Sequence, residues 1–336
     1  MKIQVNNFFT KTIIFLQKLK VCLPPIIDKA DKFLYNYYKN NIRENNCMSY
    51  FTKLFALIAA FFTMIFSPSA TYEKKGDAGI MTYNVMAGEL TDTRLDAVAQ
   101  QIRAVDPDCF GLQEVKNGSK QYFEEAFGDY ESYSVSDETE DTTFDTLFWR
   151  KSKFKKISED YVFLSKTPDR PSTGWDANHR RMLQWVLLED KETGCRFIHA
   201  NTHLDNGGNT ARTESVKMIE KYLGDSMYPV VVSGDYNCRY TGDTIKSFAA
   251  MGWTNTMNLS GISSSKDTFH GYTGNDVNHS PIDHIFVKGV KSAENWIIHK
   301  EMYNGMYPSD HFPLSVDLHF DYTITAKQNY TWIKNG

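Results

Sequence analysis

Residues 230–237 read VVVSGDYN. The three valines followed by Ser-Gly read as a strand, buried over Val230 to Val232 and ending near residue 234. In extended backbone, residues i and i+2 face the same way, so Asp235 and Asn237 aim at one place. The same layout, an apolar run that ends on a polar residue, recurs along the chain. Asn84 closes the strand expected at Gly79–Val85, and Glu114 follows the strand expected at Cys109–Gln113. His203 and Asp205 follow Arg196–Thr202 and share the i, i+2 relation. Asp283 sits in SPIDHIF, and Asp310 with His311 sits in YPSDHFP.

Further strands are expected at Thr146–Arg150, Met182–Leu188, Ile282–Val287 and Phe312–Leu318. A helix is expected over Thr93–Val105, with Leu95, Val98, Ala99, Ile102 and Val105 on one stripe. Thr93 and Asp96 form its expected cap pair, and Asp106-Pro107 its stop. Other helices are expected at Ser119–Phe127, Thr210–Leu223 and Asp243–Met251. Strands outnumber helices and many are joined by short turns. That pattern describes an α/β chain with two sheets packed together and helices outside, not a strict alternation of strand and helix. With 41% hydrophobic and 23% charged residues, the 336-residue chain is neither disordered nor collagen-like. It has no tandem CxxC pair and no heptad run, which argues against a zinc-finger array or a coiled coil.

Burying an unpaired carboxylate costs several kcal/mol. Several carboxylates converging at strand ends therefore imply a positive charge between them. Glu114, with Asp235 or Asp310 nearby, offers hard oxygen ligands and no thiolate, which suits Mg²⁺, Mn²⁺ or Ca²⁺ over a structural zinc. A histidine beside carboxylates is held in one tautomer and can act as an acid or base. His199 lies further back on its strand than His203 and is expected in the core; His284 alternates away from Asp283 and is expected to be structural. His270, in a loop, and the basic residues Arg180, Arg181 and Arg212 are candidates for contacting substrate.

Six short stretches carry a family resemblance: TYN (82–84), LQE (112–114), NTHLD (201–205), GDYN (234–237), IDHIF (282–286) and SDHFP (309–313). Together they resemble the endonuclease/exonuclease/phosphatase superfamily, the DNase-I-like metal-dependent phosphoesterases, from about Gly79 to Leu318. The resemblance implies a four-layer α/β sandwich, two packed mixed β-sheets flanked by helices, and hydrolysis of a phosphoester by water attacking in line. It assigns Glu114 as principal metal ligand, with Asn84 beside it and Asp310 at or near the metal. Asp235 would orient or deprotonate the water, and Asn237 would bind phosphate oxygen. His311, its tautomer fixed by Asp283, would contact the scissile phosphate. His203 would bind phosphate or protonate the leaving group. Nucleic acid, phospholipid and small phosphate esters are all left open as substrates. Arg170–Arg181 and Gly261–Ser280 are the stretches expected to decide among them. An inactive binding protein on the same fold would have lost one of these residues, and all are present.

Charge and targeting bound the rest. Residues 1–70 hold nine basic and three acidic residues, leaving 28 basic and 38 acidic in 71–336, a net charge of −10. A body this acidic does not attract nucleic acid in bulk and needs a cation to handle phosphate. Leu54–Phe66 is 13 residues without charge, preceded by Lys53 and followed by Ser67-Pro-Ser-Ala70. Read from Met48, this is the layout of a signal peptide over 48–70, with 1–47 an extension from an upstream start; the alternative is an uncleaved signal anchor. The expectation is a secreted or extracellular monomer, or a membrane-tethered one, with a catalytic domain over 78–322, a tail over 323–336 and no stable protein partner. Only Cys109, Cys195 and Cys238 lie beyond the leader, too few for a disulfide scaffold.

Overall fold

In the computed structural model, residues 77–86, 91–135, 144–262, 267–277 and 279–321 are described. The expected leader, the residues before it and the tail from 323 lie outside them. Twelve strands form two six-stranded sheets among the described residues. The first holds β1 (Ala78–Asn84), β2 (Cys109–Val115), β3 (Tyr130–Ser134), β4 (Phe144–Arg150), β11 (Val290–Ile298) and β12 (Leu314–Phe320), in the order β11-β12-β1-β2-β4-β3. The second holds β5 (Phe154–Phe163), β6 (Met182–Asp190), β7 (Arg196–His203), β8 (Val230–Asp235), β9 (Thr254–Asn255) and β10 (Asp283–Lys288), in the order β5-β6-β7-β8-β10-β9. Each sheet is mixed. β1 runs parallel to β2 and β7 parallel to β8, and the remaining pairs are antiparallel.

The central strands are buried on both faces, which is why they read as continuous apolar runs. Ile80, Leu147 and Trp149 face Val186, Phe197, Val231 and Ile285 between the sheets. Their neighbours Met81, Tyr83, Phe110 and Phe148 pack outward against the helices α1 (Asp92–Val105) and α2 (Asn117–Ala126). On the other side, Ile198, Val230 and Val232 meet α3 (Asn209–Leu223) and α4 (Asp243–Ala250); a short helix, α5 (Thr256–Leu259), follows β9. The result is helix, sheet, sheet, helix.

The expected cap pair at Thr93 is corrected. Thr91 caps α1, its side chain accepting from the Arg94 N–H, while Asp106 takes the left-handed conformation that ends the helix before Pro107. None of Cys109, Cys195 and Cys238 is in a disulfide. Polar groups also sit between the sheets. Gln113 donates to Asn201 Oδ1 (2.7 Å) and Thr82 Oγ1 (3.0 Å), Asn201 donates to Leu112 O (2.9 Å), and His199 Nε2 lies 3.0 Å from Ser233 Oγ. Gly111 makes room for this plug, since a β-carbon there would stand 2.5 Å from Asn201 Oδ1.

Candidate active site

Strand register builds the site. On parallel β7 and β8, His203 stands beside Asp235; on antiparallel β10, Asp283 stands opposite Asp235. Asn84 ends β1 in the other sheet, and its Nδ2 reaches across to Asp235 Oδ2 at 3.0 Å and to Glu114 Oε1 at 3.0 Å. Glu114 gets there through an irregularity: β2–β4 pairing slips between Leu112 and Val115, and Glu114 takes φ +59°. A left-handed backbone is costly for glutamate and recurs at functional sites. Asn237 is also left-handed, φ +46°, a conformation asparagine tolerates better than most residues. Its backbone N–H donates to Asp235 Oδ1 (2.8 Å), and its Nδ2 donates to Leu204 O while lying 3.0 Å from His203 Nε2.

His311 completes the cluster. Its Nδ1 is 2.8 Å from Asp283 Oδ2, and its Nε2 points toward Asp235 Oδ2 at 3.7 Å. His203 Nε2 stands 3.4 Å from the same oxygen. Burial alone would push the His311 imidazolium down, but Asp283, Asp235 and Asp310 outweigh it and raise it to about 10. Burial, then the neighbouring Asp283, pushes Asp235 up. His203 is held well below the ordinary histidine range by burial and by the nearby charges of Arg181 and His311. So His311 is a fixed donor, His203 a neutral imidazole, and Asp235 a carboxylate poised to take a proton.

These groups open on a cleft of about 800 Å³, lined also by Lys116, Phe163, His179, Arg180, Arg181, Phe269 and Asp310. Burial, with Glu114 close by, pushes Asp310 up. Ligand atoms of Asp235, Asp283 and His311 lie within 4.8 Å of one another, and Asp283 Oδ1 is buried with no hydrogen-bond partner. With Glu114 and Asp310 on the cleft wall, the donors are hard oxygens around a site short of positive charge, and they fit a divalent cation. His311 already holds Asp283 through Nδ1, which leaves Glu114, Asp310 and Asp235 as the freer oxygens.

The structure therefore gathers Asn84, Glu114, His203, Asp235, Asn237, Asp283, Asp310 and His311 into one place, with Arg180 and Arg181 on the cleft wall. It does not bring Arg212 or His270 there. Arg212 is buried at the start of α3, where it donates to Asp205 O at 2.6 Å and to Asn209, and so serves the fold. His270 is wholly buried and stacks on Phe312 at 3.8 Å; its neighbour Phe269 lines the cleft, while the His270 ring packs into the core behind it. Asp205 also departs from the expected pairing with His203, because β7 ends at His203 and strand parity ends with it. Its carboxylate accepts from the backbone N–H groups of Asn178, His179, Gly207 and Gly208. His199 and His284 are buried as expected. Asp145 was not foreseen. It sits at the start of β4, is buried, and lies within electrostatic reach of Arg181, Glu114 and Asp235. Its surroundings in sequence, FDTLF, carry no motif that marks it.

Comparison with known proteins agrees with this geometry. The model of the Endonuclease/Exonuclease/phosphatase family matches residues 81–311. An endonuclease/exonuclease/phosphatase family protein of Bacteroides thetaiotaomicron is 27% identical, with a TM-score of 0.65 over 73% of this chain and 96% of that one. A mannosyl-6-phosphatase of Bacteroides thetaiotaomicron VPI-5482 is 28% identical, with a TM-score of 0.65 over 72% of this chain and 99% of that one. A CCR4-Not complex 3'-5'-exoribonuclease subunit Ccr4 of Emericella nidulans is 28% identical over 131 residues, which are 33% of this chain and 19% of that protein. The chain thus matches about a fifth of that curated relative. It belongs to the Endonuclease/Exonuclease/phosphatase family.

Proposed function

We propose that this family member is a secreted, Mg²⁺-dependent phosphoesterase that hydrolyses a phosphodiester by in-line attack of water. The observation that carries the reading is Asp235 at the centre of the cleft, touched by Asn84 and Asn237 and faced by His203 and by the His311–Asp283 pair. Glu114, with Asp310 and Asn84 beside it, would hold a divalent ion, which would supply charge neutralisation for the phosphate oxygens. Asp235 accepts the proton of the attacking water, and the Asn237 amide keeps that water on line. His311, protonated and fixed by Asp283, donates from Nε2 to a non-bridging oxygen whose charge grows in the transition state. His203, neutral, sits where it can hold phosphate or the departing oxygen.

One observation favours a second reading, a phosphate monoester as substrate: the mannosyl-6-phosphatase matches this chain over nearly its own full length. The test is the purified chain with Mg²⁺ or EDTA on plasmid DNA, RNA, sphingomyelin and sugar phosphates. The first reading expects diester cleavage that EDTA stops and that Glu114→Ala and His311→Ala each abolish. Turnover confined to monoesters would move the assignment to the second reading. Secretion and a monomeric state belong to the same proposal, and N-terminal sequencing of the mature protein tests the signal peptide read from Met48.

A further inference from the structure

Arg181 precedes β6 and lines the cleft together with Glu114, His203 and Asp235. Its side chain is 11% exposed, and its Nε–H is buried without a hydrogen-bond partner; Asp205 Oδ2 is 3.9 Å away, too far to accept it. Burial lowers the guanidinium pKa, while Asp145, Asp235, Asp205 and Glu114 act to keep the charge. Asp145 is the first of these, and Arg181 is the chief group opposing the burial that pushes its carboxyl up to about 7. The carboxylate of Asp205 is already spent on four backbone N–H groups. A guanidinium stays charged in a protein and is normally satisfied by a planar, two-point acceptor when buried. Here it sits inside a cleft among acids, with a donor left over.

Arg181 lines the same cleft as the acids Glu114, Asp235 and Asp310, so its fixed charge offsets part of theirs without a further bound ion. We infer that Arg181 is a resident cation of the cleft, backed by Asp145: it donates to a non-bridging oxygen of the bound phosphate and fills the role of a second metal ion, so that the chain works with one. The inference rests on the phosphoesterase reading above and adds to it the number of ions and the group that replaces the other.

Calorimetric titration of the full chain with Mn²⁺ tests it, followed by titration of the Mn²⁺-loaded chain with inorganic phosphate. Wild type is expected to take up one Mn²⁺. Arg181→Met removes a repelling charge, so it should bind Mn²⁺ about tenfold more tightly, or take up a second ion, while its phosphate affinity falls about tenfold or more. Asp145→Asn should shift Mn²⁺ affinity the opposite way, to weaker binding. A purely structural Arg181–Asp145 pair would move both variants in one direction. Arg181→Lys keeps the charge but not the fork, and should retain the wild-type Mn²⁺ affinity while losing phosphate affinity. If Arg181→Met does not fold, the Lys and Asn variants decide the matter. Two Mn²⁺ ions in wild type, or folded variants whose Mn²⁺ and phosphate affinities equal wild type, would overturn the inference. A wild type that binds one Mn²⁺ with these opposed shifts yet hydrolyses no ester would overturn the phosphoesterase reading instead.

Discussion

His311 and Asp283 form a close ion pair in the cleft, Nδ1 to Oδ2 at 2.8 Å, and two consequences follow from it. The imidazolium is raised to about 10 because Asp283 and the nearby Asp235 and Asp310 outweigh its burial. A donor that must be protonated then keeps working well above neutral pH. In Asp283→Asn the raising charge is gone, the imidazolium pKa falls, and the alkaline limb of the pH–rate curve should move to lower pH by more than a unit. The rate itself should fall about 10²- to 10⁴-fold, the usual worth of a positioned acid–base group. Initial rates from pH 5 to 10 check both; an unmoved limb would mean that His311 is not the donor. At Asn237 the argument is geometric. Asn237→Ala removes the Nδ2 bonds to Leu204 and His203 and leaves alanine at φ +46°. Turnover should fall about 10²- to 10³-fold, as for loss of one transition-state donor, and a thermal melt should show a drop on the order of 1 kcal/mol from the strain.

Elements explain what could be read in advance. Strands buried on both faces announced themselves: Val230–Asp235, Arg196–His203 and Cys109–Val115 are apolar runs, and their polar ends marked the site. The edge strands did not. β5 reads FKKISEDYVF and is mostly exposed along its middle, and β11 reads VKSAENWII; charge protects such edges and removes the apolar signal. β3, YESYS, is also an edge with one buried residue. The buried plug of Thr82, Gln113 and Asn201 was hidden for another reason, because a polar residue inside a strand reads as outward-facing until its partner is known. Asp205 was misread because strand parity ends where the strand does. What it does instead is staple two loops, with Asp176 taking the N–H groups of Thr210 and Ala211 beside it. Asp205→Ala leaves four backbone donors without that acceptor, at a cost of about 1–3 kcal/mol if they stay buried. The loop carrying His179, Arg180 and Arg181 loses its anchor. The expected result is a lower melting temperature and a larger rise in KM than fall in kcat; a pure kcat effect would place Asp205 in the chemistry instead.

At the scale of the whole molecule, the same packing that hides histidines sets the pH range in which the fold survives. His199, His203, His270 and His284 are buried. Burial lowers all four, to about 3 for His199, to about 4 for His270 and His284, and well below the ordinary value for His203. Between about pH 4 and 6.5 the unfolded chain binds protons at these positions that the folded chain refuses, so stability falls as the pH falls through that window. Asp145 and Asp235 act the other way. Raised by burial, they bind protons in the folded state first, so their contribution is present at low pH and lost as pH rises toward neutral. His311 adds to that alkaline side, since its stabilisation is complete below its unfolded pKa and lost as pH rises through about 10. His299, also lowered by burial to about 4, and Asp310, also raised by burial, add one group to each side. Five histidines against three carboxyls leave about two protons taken up on acid unfolding, and each is worth roughly 1.4 kcal/mol per pH unit. Without metal, stability should therefore peak near pH 6.5–7 and drop steeply on the acid side. A divalent ion bound beside Asp235 would hold it ionised and remove part of the opposing contribution, so added Mg²⁺ should steepen the acid limb while raising the whole curve. Thermal melts from pH 4 to 10, with EDTA and with Mg²⁺, read all of this directly. His284→Gln should flatten the acid limb, and an acid limb of unchanged slope in that variant would show that the buried imidazoles are not what sets it.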